Sequence, residues 1–227
     1  MDTTMYGYVF NAFESFTPLG GYKRNLPHWR KEGAIYFVTF RLADSIPASV
    51  LQKWMEERRA WLTSHGLIGE IPDSEWESRY LDIPEDIRQK FEREEMRKYF
   101  VELDKCHGKC FLKNKECTTI LRNALLFFNE QRLLCGDFVI MPNHVHWIVT
   151  PLQNYELENI MQSVKSYSAR CINKSLGRHG RLWQKESFDH IVRNPPQLER
   201  IRNYIEQNPH KAKIPDGSFL YHKCDWL

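Results

Sequence analysis

Two histidines one residue apart, His144 and His146, stand in the run Gly136-Asp137-Phe138-Val139-Ile140-Met141-Pro142-Asn143-His144-Val145-His146-Trp147-Ile148-Val149. In an extended strand successive side chains alternate faces, so the two imidazoles project to one side while Val145 turns to the other. Imidazole is the commonest metal-binding side chain, and a pair held on a rigid strand supplies half of a divalent-metal site. Val145, Trp147 and Val149 on the opposite face predict packing against helices there, which leaves the histidine face for chemistry. An isolated His-X-His is more often structural, so the reading turns on what accompanies it.

Further along, Leu198, Ile201 and Ile205 recur at helical spacing, and Tyr204 and Asn208, four residues apart, fall one above the other at the edge of that stripe. A phenol and a carboxamide would then meet the same neighbour. Pro209 has no N–H and disfavours helical geometry in the residue before it, so Asn208 is expected in a fraying last turn, its amide oxygen able to turn toward a metal. Taken alone, an edge tyrosine and a terminal asparagine are ordinary structural residues.

The elements that must carry these groups follow from periodicity. Residues 34–42, rich in β-branched and aromatic side chains, read as a strand. Two helical patterns, 48–64 and 84–103, lie in an inserted stretch at 43–115 that alternates them with breakers. A helix is expected over 116–132, then strands over 135–141 and 144–150 around the turn at 141–143. A helix over 156–174, a short strand over 187–193 and a helix over 196–208 capped by Asn194 complete the pattern. Without the insertion the order is β-α-β-β-α-β plus a terminal helix, the ferredoxin-like α+β arrangement of an antiparallel sheet with helices on one face. The chain thus divides into an extension at 1–33, one domain at 34–213 with a helical insertion after its first strand, and a tail at 214–227.

With 227 residues and 42% hydrophobic content, the chain suits one decorated domain better than two full ones. No apolar stretch approaches the roughly 20 residues that span a bilayer, and the first residues lack signal-peptide character, so no membrane and a cytoplasmic location are expected. The six cysteines then read as free thiols, and the spacing of Cys106, His107, Cys110 and Cys117 matches no paired CxxC zinc pattern. Charge is unevenly placed. Residues 162–213 hold eleven lysines and arginines against four acids, a net +7, whereas 43–118 holds thirteen against sixteen. The basic stretch suits phosphates, with Lys165, Arg170, Arg181 and Arg193 as candidate contacts. Tyr167, Trp183 and Phe188 interleave with these charges as groups that could stack on bases or pack inward.

These motifs, with Ser163-Val164-Lys165-Ser166-Tyr167-Ser168-Ala169-Arg170, Leu182-Trp183-Gln184, Phe188-Asp189-His190-Ile191-Val192-Arg193-Asn194 and Tyr204-Ile205-Glu206-Gln207-Asn208-Pro209, resemble the REP-associated tyrosine transposases of the single-tyrosine HUH superfamily. The resemblance runs from about 34 to 213, and Pro27-His28-Trp29 and Phe37-Val38-Thr39-Phe40-Arg41-Leu42 are similar to the opening of longer members. The insertion at 43–115 departs from the short members.

The resemblance implies a metal-dependent single-stranded DNA transesterase that nicks and rejoins strands at hairpin-forming repeats through a 5′-phosphotyrosine. Tyr204 would be the nucleophile of the terminal catalytic helix, and His144, His146 and Asn208 would hold Mg²⁺ or Mn²⁺. Lys165, Arg170, Arg181, Trp183, His190 and Arg193 would meet DNA, in single-stranded or hairpin form. Two other readings stay open: a non-catalytic DNA- or RNA-binding module on the same fold, and a metal-dependent hydrolase using His190 and a carboxylate. Oligomeric state, monomer or homodimer, is open as well.

Overall fold

The computed structural model describes residues 33–69 and 71–227, so the extension and its Pro27-His28-Trp29 motif lie outside the described residues. The elements in chain order are β1 (Tyr36–Arg41), α1 (Ala48–Ser64), α2 (Asp73–Leu81), α3 (Glu85–Asp104), a 3-10 turn (Phe111–Lys113), α4 (Lys115–Leu126), β2 (Leu133–Ile140), β3 (His144–Pro151), α5 (Leu157–Ser175), β4 (Phe188–Ile191), α6 (Pro195–Lys211) and β5 (Leu220–His222). The described residues form two compact units: one contains residues 46–102, and the other contains residues 33–45 together with Leu103–Leu227.

The second unit is built on a five-stranded sheet in the order β4-β1-β3-β2-β5. Every paired strand is antiparallel. The first four strands have the ferredoxin-like order, as the element pattern predicts. β5, in the stretch read from sequence as a tail, adds an edge by pairing Phe138, Val139 and Ile140 with His222, Tyr221 and Leu220. One sheet face, with Val38, Phe40, Val145, Trp147, Val149, Phe138 and Ile140, meets the apolar stripes of α4 and α5 in one core cluster. From α4 come Cys117, Leu121, Ala124 and Leu125, and from α5 Leu157, Ile160, Met161, Val164 and Ile172. Asn114 caps α4 by accepting from the Glu116 and Cys117 N–H groups, so the helix begins where its apolar stripe begins.

α6 lies against the other face. Asn194 caps it by accepting from the Gln197 N–H at 2.9 Å, and Ile201 and Ile205 are its buried stripe. It does not fray at Asn208. The helix runs through Pro209 to Lys211, because the carbonyls of Asn208 and Pro209 accept from Ala212 and Ile214 at 3.0 and 2.9 Å and continue the bonding past the missing donor. Behind α6, the buried Asp137 carboxylate accepts from Arg202 Nε and from the Cys224 N–H, both at 2.9 Å, which ties β2, α6 and the C-terminal stretch together.

In the first unit, α1, α2 and α3 surround a small cluster of Leu67, Tyr80 and Ile83 with Trp61, Leu62 and Trp76 beside it. α2 has no counterpart in the sequence reading. Trp61 stacks on Phe91 at 4.0 Å, Lys98 pairs with Glu57 and Glu95 at 2.6 and 3.1 Å, and the Tyr80 hydroxyl donates to Glu92. Burial pushes the Glu92 carboxyl above the usual carboxylate range. The last two residues of α3, Leu103 and Asp104, belong with the sheet unit.

Candidate metal and nucleophile site

Register decides what surrounds the histidines. On β1, Thr39 and Arg41 stand opposite His146 and His144, so strand alternation sets all four on the same face. Both histidines are fully buried rather than open to solvent, because α6 covers the face that sequence reading left free. The Asn143 amide oxygen lies 2.7 Å from His144 Nδ1, and since a carbonyl oxygen only accepts, Nδ1 carries the proton and Nε2 a bare lone pair. Thr39 Oγ1 lies 2.7 Å from His146 Nδ1 and holds the second ring in place. The two Nε2 atoms then face each other across 3.1 Å. Burial pushes the His144 imidazole down to about 3, and burial followed by the neighbouring ring pushes His146 well below its ordinary value. Both rings are therefore neutral at physiological pH, the state a metal requires.

Asp104, at the end of α3, completes the cluster. One of its oxygens and one ring nitrogen of each histidine lie within 4.8 Å of one another, and Oδ1 is 3.9 Å from His144 Nε2. Sequence reading missed Asp104, which stands in a charge-rich insertion with nothing local to mark it. Asn208, expected as the third ligand, stands behind it: its Nδ2 donates to Asp104 Oδ1 at 3.2 Å, while its buried Oδ1 has no hydrogen-bond partner. An unsatisfied buried oxygen beside two neutral imidazoles and a carboxylate is the donor chemistry a Mg²⁺ or Mn²⁺ ion would satisfy. Burial pushes the Asp104 carboxyl up, while the Asn208 amide and Lys211 pull it down.

Tyr204 joins the same point. Its hydroxyl is 3.2 Å from His146 Nε2, and its ring meets those of His146 and Phe37 edge-on with centroids 5.0 and 6.1 Å away. Lys211 Nζ sits 5.9 Å from the phenol ring centre, a cation beside the nucleophile candidate that sequence reading did not single out.

The other candidate residues are dispersed. Trp183 is buried on the core side, edge-on to Phe40 at 4.9 Å, and its indole donates to Ser168 at 3.0 Å, which leaves no face for a base. His190 is buried and bonds Gln197 of α6 through Nε2 at 2.7 Å, so it helps seat the helix. Lys165 Nζ reaches the Lys185 carbonyl at 2.7 Å and Ser187 Oγ at 3.1 Å, and ties α5 to the loop before β4. Arg170, Arg181 and Arg193 are exposed. Arg170 lies over the exposed Tyr167 ring at 5.8 Å, a cation and an aromatic face together on the surface.

The mixed α+β fold brings a histidine pair, a carboxylate and a tyrosine to one point. A family model described as IS200-like transposase matches residues 109–208, the span that holds both histidines, Tyr204 and Asn208. Asp104 and β1 lie outside it. Among solved structures, the chain is similar to a REP-associated tyrosine transposase bound to a REP hairpin, at 15% identity and TM-score 0.43 over 85% of this chain and 73% of that one. It is also similar to a protein of Deinococcus radiodurans R1 designated a transposase, at 12% identity and TM-score 0.35 over 83% of this chain and 98% of that one. No curated protein sequence matches the chain. Among the described residues, no helix is long and apolar enough to cross a membrane.

Proposed function

We propose that this protein is a single-stranded DNA transesterase in which Tyr204 is the nucleophile and His144, His146 and Asp104, backed by Asn208, hold a divalent cation. The observation that carries this reading is the convergence of the Tyr204 hydroxyl on His146 Nε2 at 3.2 Å, within a cluster whose three ligand atoms lie within 4.8 Å of one another. An ion bound there would neutralise charge developing on a non-bridging phosphate oxygen. Asn143 and Thr39 fix the rings, Phe37 and Ile205 hold the helix that carries Tyr204, and burial keeps both imidazoles unprotonated.

In the step itself the Tyr204 oxygen bonds to phosphorus as the P–O3′ bond breaks. The phenolic proton passes through solvent to the departing 3′-oxygen, and the products are a 5′-phosphotyrosine and a free 3′-hydroxyl. Attack by another 3′-hydroxyl reverses the step and rejoins strands. A nucleophile on a rigid helix needs an extended backbone approachable in line, so the substrate is a single strand, placed beside a hairpin of the repeat type that the sequence motifs suggest. The domain division at 34–213 with an insertion belongs to the same reading.

The test is incubation of labelled single-stranded DNA carrying a hairpin with Mn²⁺, followed by denaturing electrophoresis. A covalent protein–DNA adduct is expected, lost in Tyr204→Phe while binding persists, because that change removes one oxygen from an intact surface. An undiminished adduct in Tyr204→Phe would reject Tyr204 as the nucleophile.

A further inference from the structure

Arg41 closes β1, and its guanidinium is among the largest fully buried side chains, with 2% of the residue exposed. Its hydrogen-bond partners are both neutral and both reached through Nη1: Ser45 Oγ at 3.2 Å and the Leu42 carbonyl at 3.4 Å. The Ser45 hydroxyl already donates to that carbonyl at 2.8 Å. Arg202, by contrast, sits on the Asp137 carboxylate at 2.9 Å. A permanent charge withdrawn from water with only neutral oxygens around it is costly, and the other five residues of β1 are aromatic, aliphatic or hydroxyl side chains that pay no such cost.

Its place gives the reason. Arg41 pairs across the sheet with His144 and shares the histidine face. The two are also linked through Ser45 and Asn143: the Asn143 amide donates to the Ser45 carbonyl at 3.5 Å, and its oxygen meets His144 at 2.7 Å. A fixed cation next to a cluster suited to a divalent cation calls for an anion between them. The planar fork of a guanidinium, with five donors, matches two oxygens of one phosphate.

We propose that Arg41 is a phosphate-binding residue that receives a non-bridging oxygen of the DNA backbone beside His144. The identification of the ligand as DNA rests on the transesterase reading, whereas the anion site itself does not. The experiment therefore uses inorganic phosphate without divalent ions. Thermal unfolding of the full chain is followed in increasing orthophosphate against sodium chloride of equal ionic strength. A saturable rise in Tm specific to phosphate is expected, since a ligand that binds only the folded state stabilises it. Arg41→Gln should weaken the apparent phosphate affinity by roughly tenfold to a hundredfold, the range for hydrogen bonds to a charged group. Arg41→Lys, which keeps the charge but loses the fork, should bind with intermediate affinity, and Lys53→Gln on exposed α1 should leave it unchanged.

Should Arg41→Gln fail to fold, the Arg41 Nε–H resonance of the wild-type protein, assigned by its absence in Arg41→Lys, reports directly. It should shift on phosphate addition. A stationary resonance, or a phosphate response retained in Arg41→Gln, overturns the assignment. An intact Tyr204 adduct without a phosphate response rejects the Arg41 site alone. A phosphate response without any adduct keeps the site and rejects the transesterase reading.

Discussion

Mild acid should destabilise the sheet unit through its buried histidine pair. His144 is held down to about 3 in the folded state, and His146 is pushed the same way, against an ordinary value near 6.5 in the unfolded chain. Between those values the unfolded state binds more protons than the folded one, so stability rises with pH across the window and falls as pH drops below about 6.5. At pH 5 the unfolded imidazole is almost fully protonated and folded His144 almost fully neutral, a loss of about 2 kcal/mol relative to pH 7.5 from this residue alone. That corresponds to a fall in Tm of roughly 4–8 °C for a chain of this size. His146 adds to the loss. Asp104, Glu92 and Glu95, whose carboxyls burial pushes up, act in the opposite direction and gain stability as pH falls through their own range. The histidine effect is therefore read as a difference: urea unfolding of the wild type and of His144→Asn/His146→Asn at pH 7.5 and 5. The wild type should lose at least about 2 kcal/mol more than the double variant. Mn²⁺ should move the wild-type loss to lower pH, because the ion holds the neutral rings. Equal losses in both proteins would refute the claim that the fold keeps this pair neutral.

Asp104→Asn should weaken Mn²⁺ binding, read by isothermal titration calorimetry, by at least about tenfold while leaving the far-ultraviolet circular dichroism unchanged. Unchanged affinity would remove Asp104 from the cluster. Gly136→Ala should cost roughly 1–3 kcal/mol in urea unfolding, since a Cβ at Gly136 would meet Ile148 Cγ2 and its carbonyl oxygen at 2.8 Å, at the point where the β2–β3 register shifts. Asn194→Ala should cost about 1 kcal/mol in the same assay by stripping the cap from α6. A neutral result there would mean that the packing of Ile201 and Ile205 alone seats the helix.

What the sequence determined by itself is what short-range periodicity encodes. A period of two sets His144 and His146 on one side of a strand, and a period of 3.6 stacks Tyr204 over Asn208. The same periodicities give the order of strands and helices, and with it the α+β class. Helix α1 falls at 48–64, as the pattern predicts, because its stripe and breakers are local. The tertiary structure decided everything that depends on which distant segments meet. Thr39 and Arg41 face the histidines only through the β1–β3 register, and no spacing within β1 states that register. Asp104 reaches His144 from forty residues earlier in the chain, at the end of a helix whose charges read as solvated. Asn208 is a fully buried partner of that carboxylate instead of a frayed terminus, because bonds beyond Pro209 carry the helix on. Trp183 faces the core because β1 and the loop before β4 close over it, and β5 exists because β2 has an edge to pair. Alternation and helical pitch are properties of the backbone and can be read one residue at a time. Register, burial and the neutrality of two histidines arise only when water is expelled from between elements that the sequence keeps far apart.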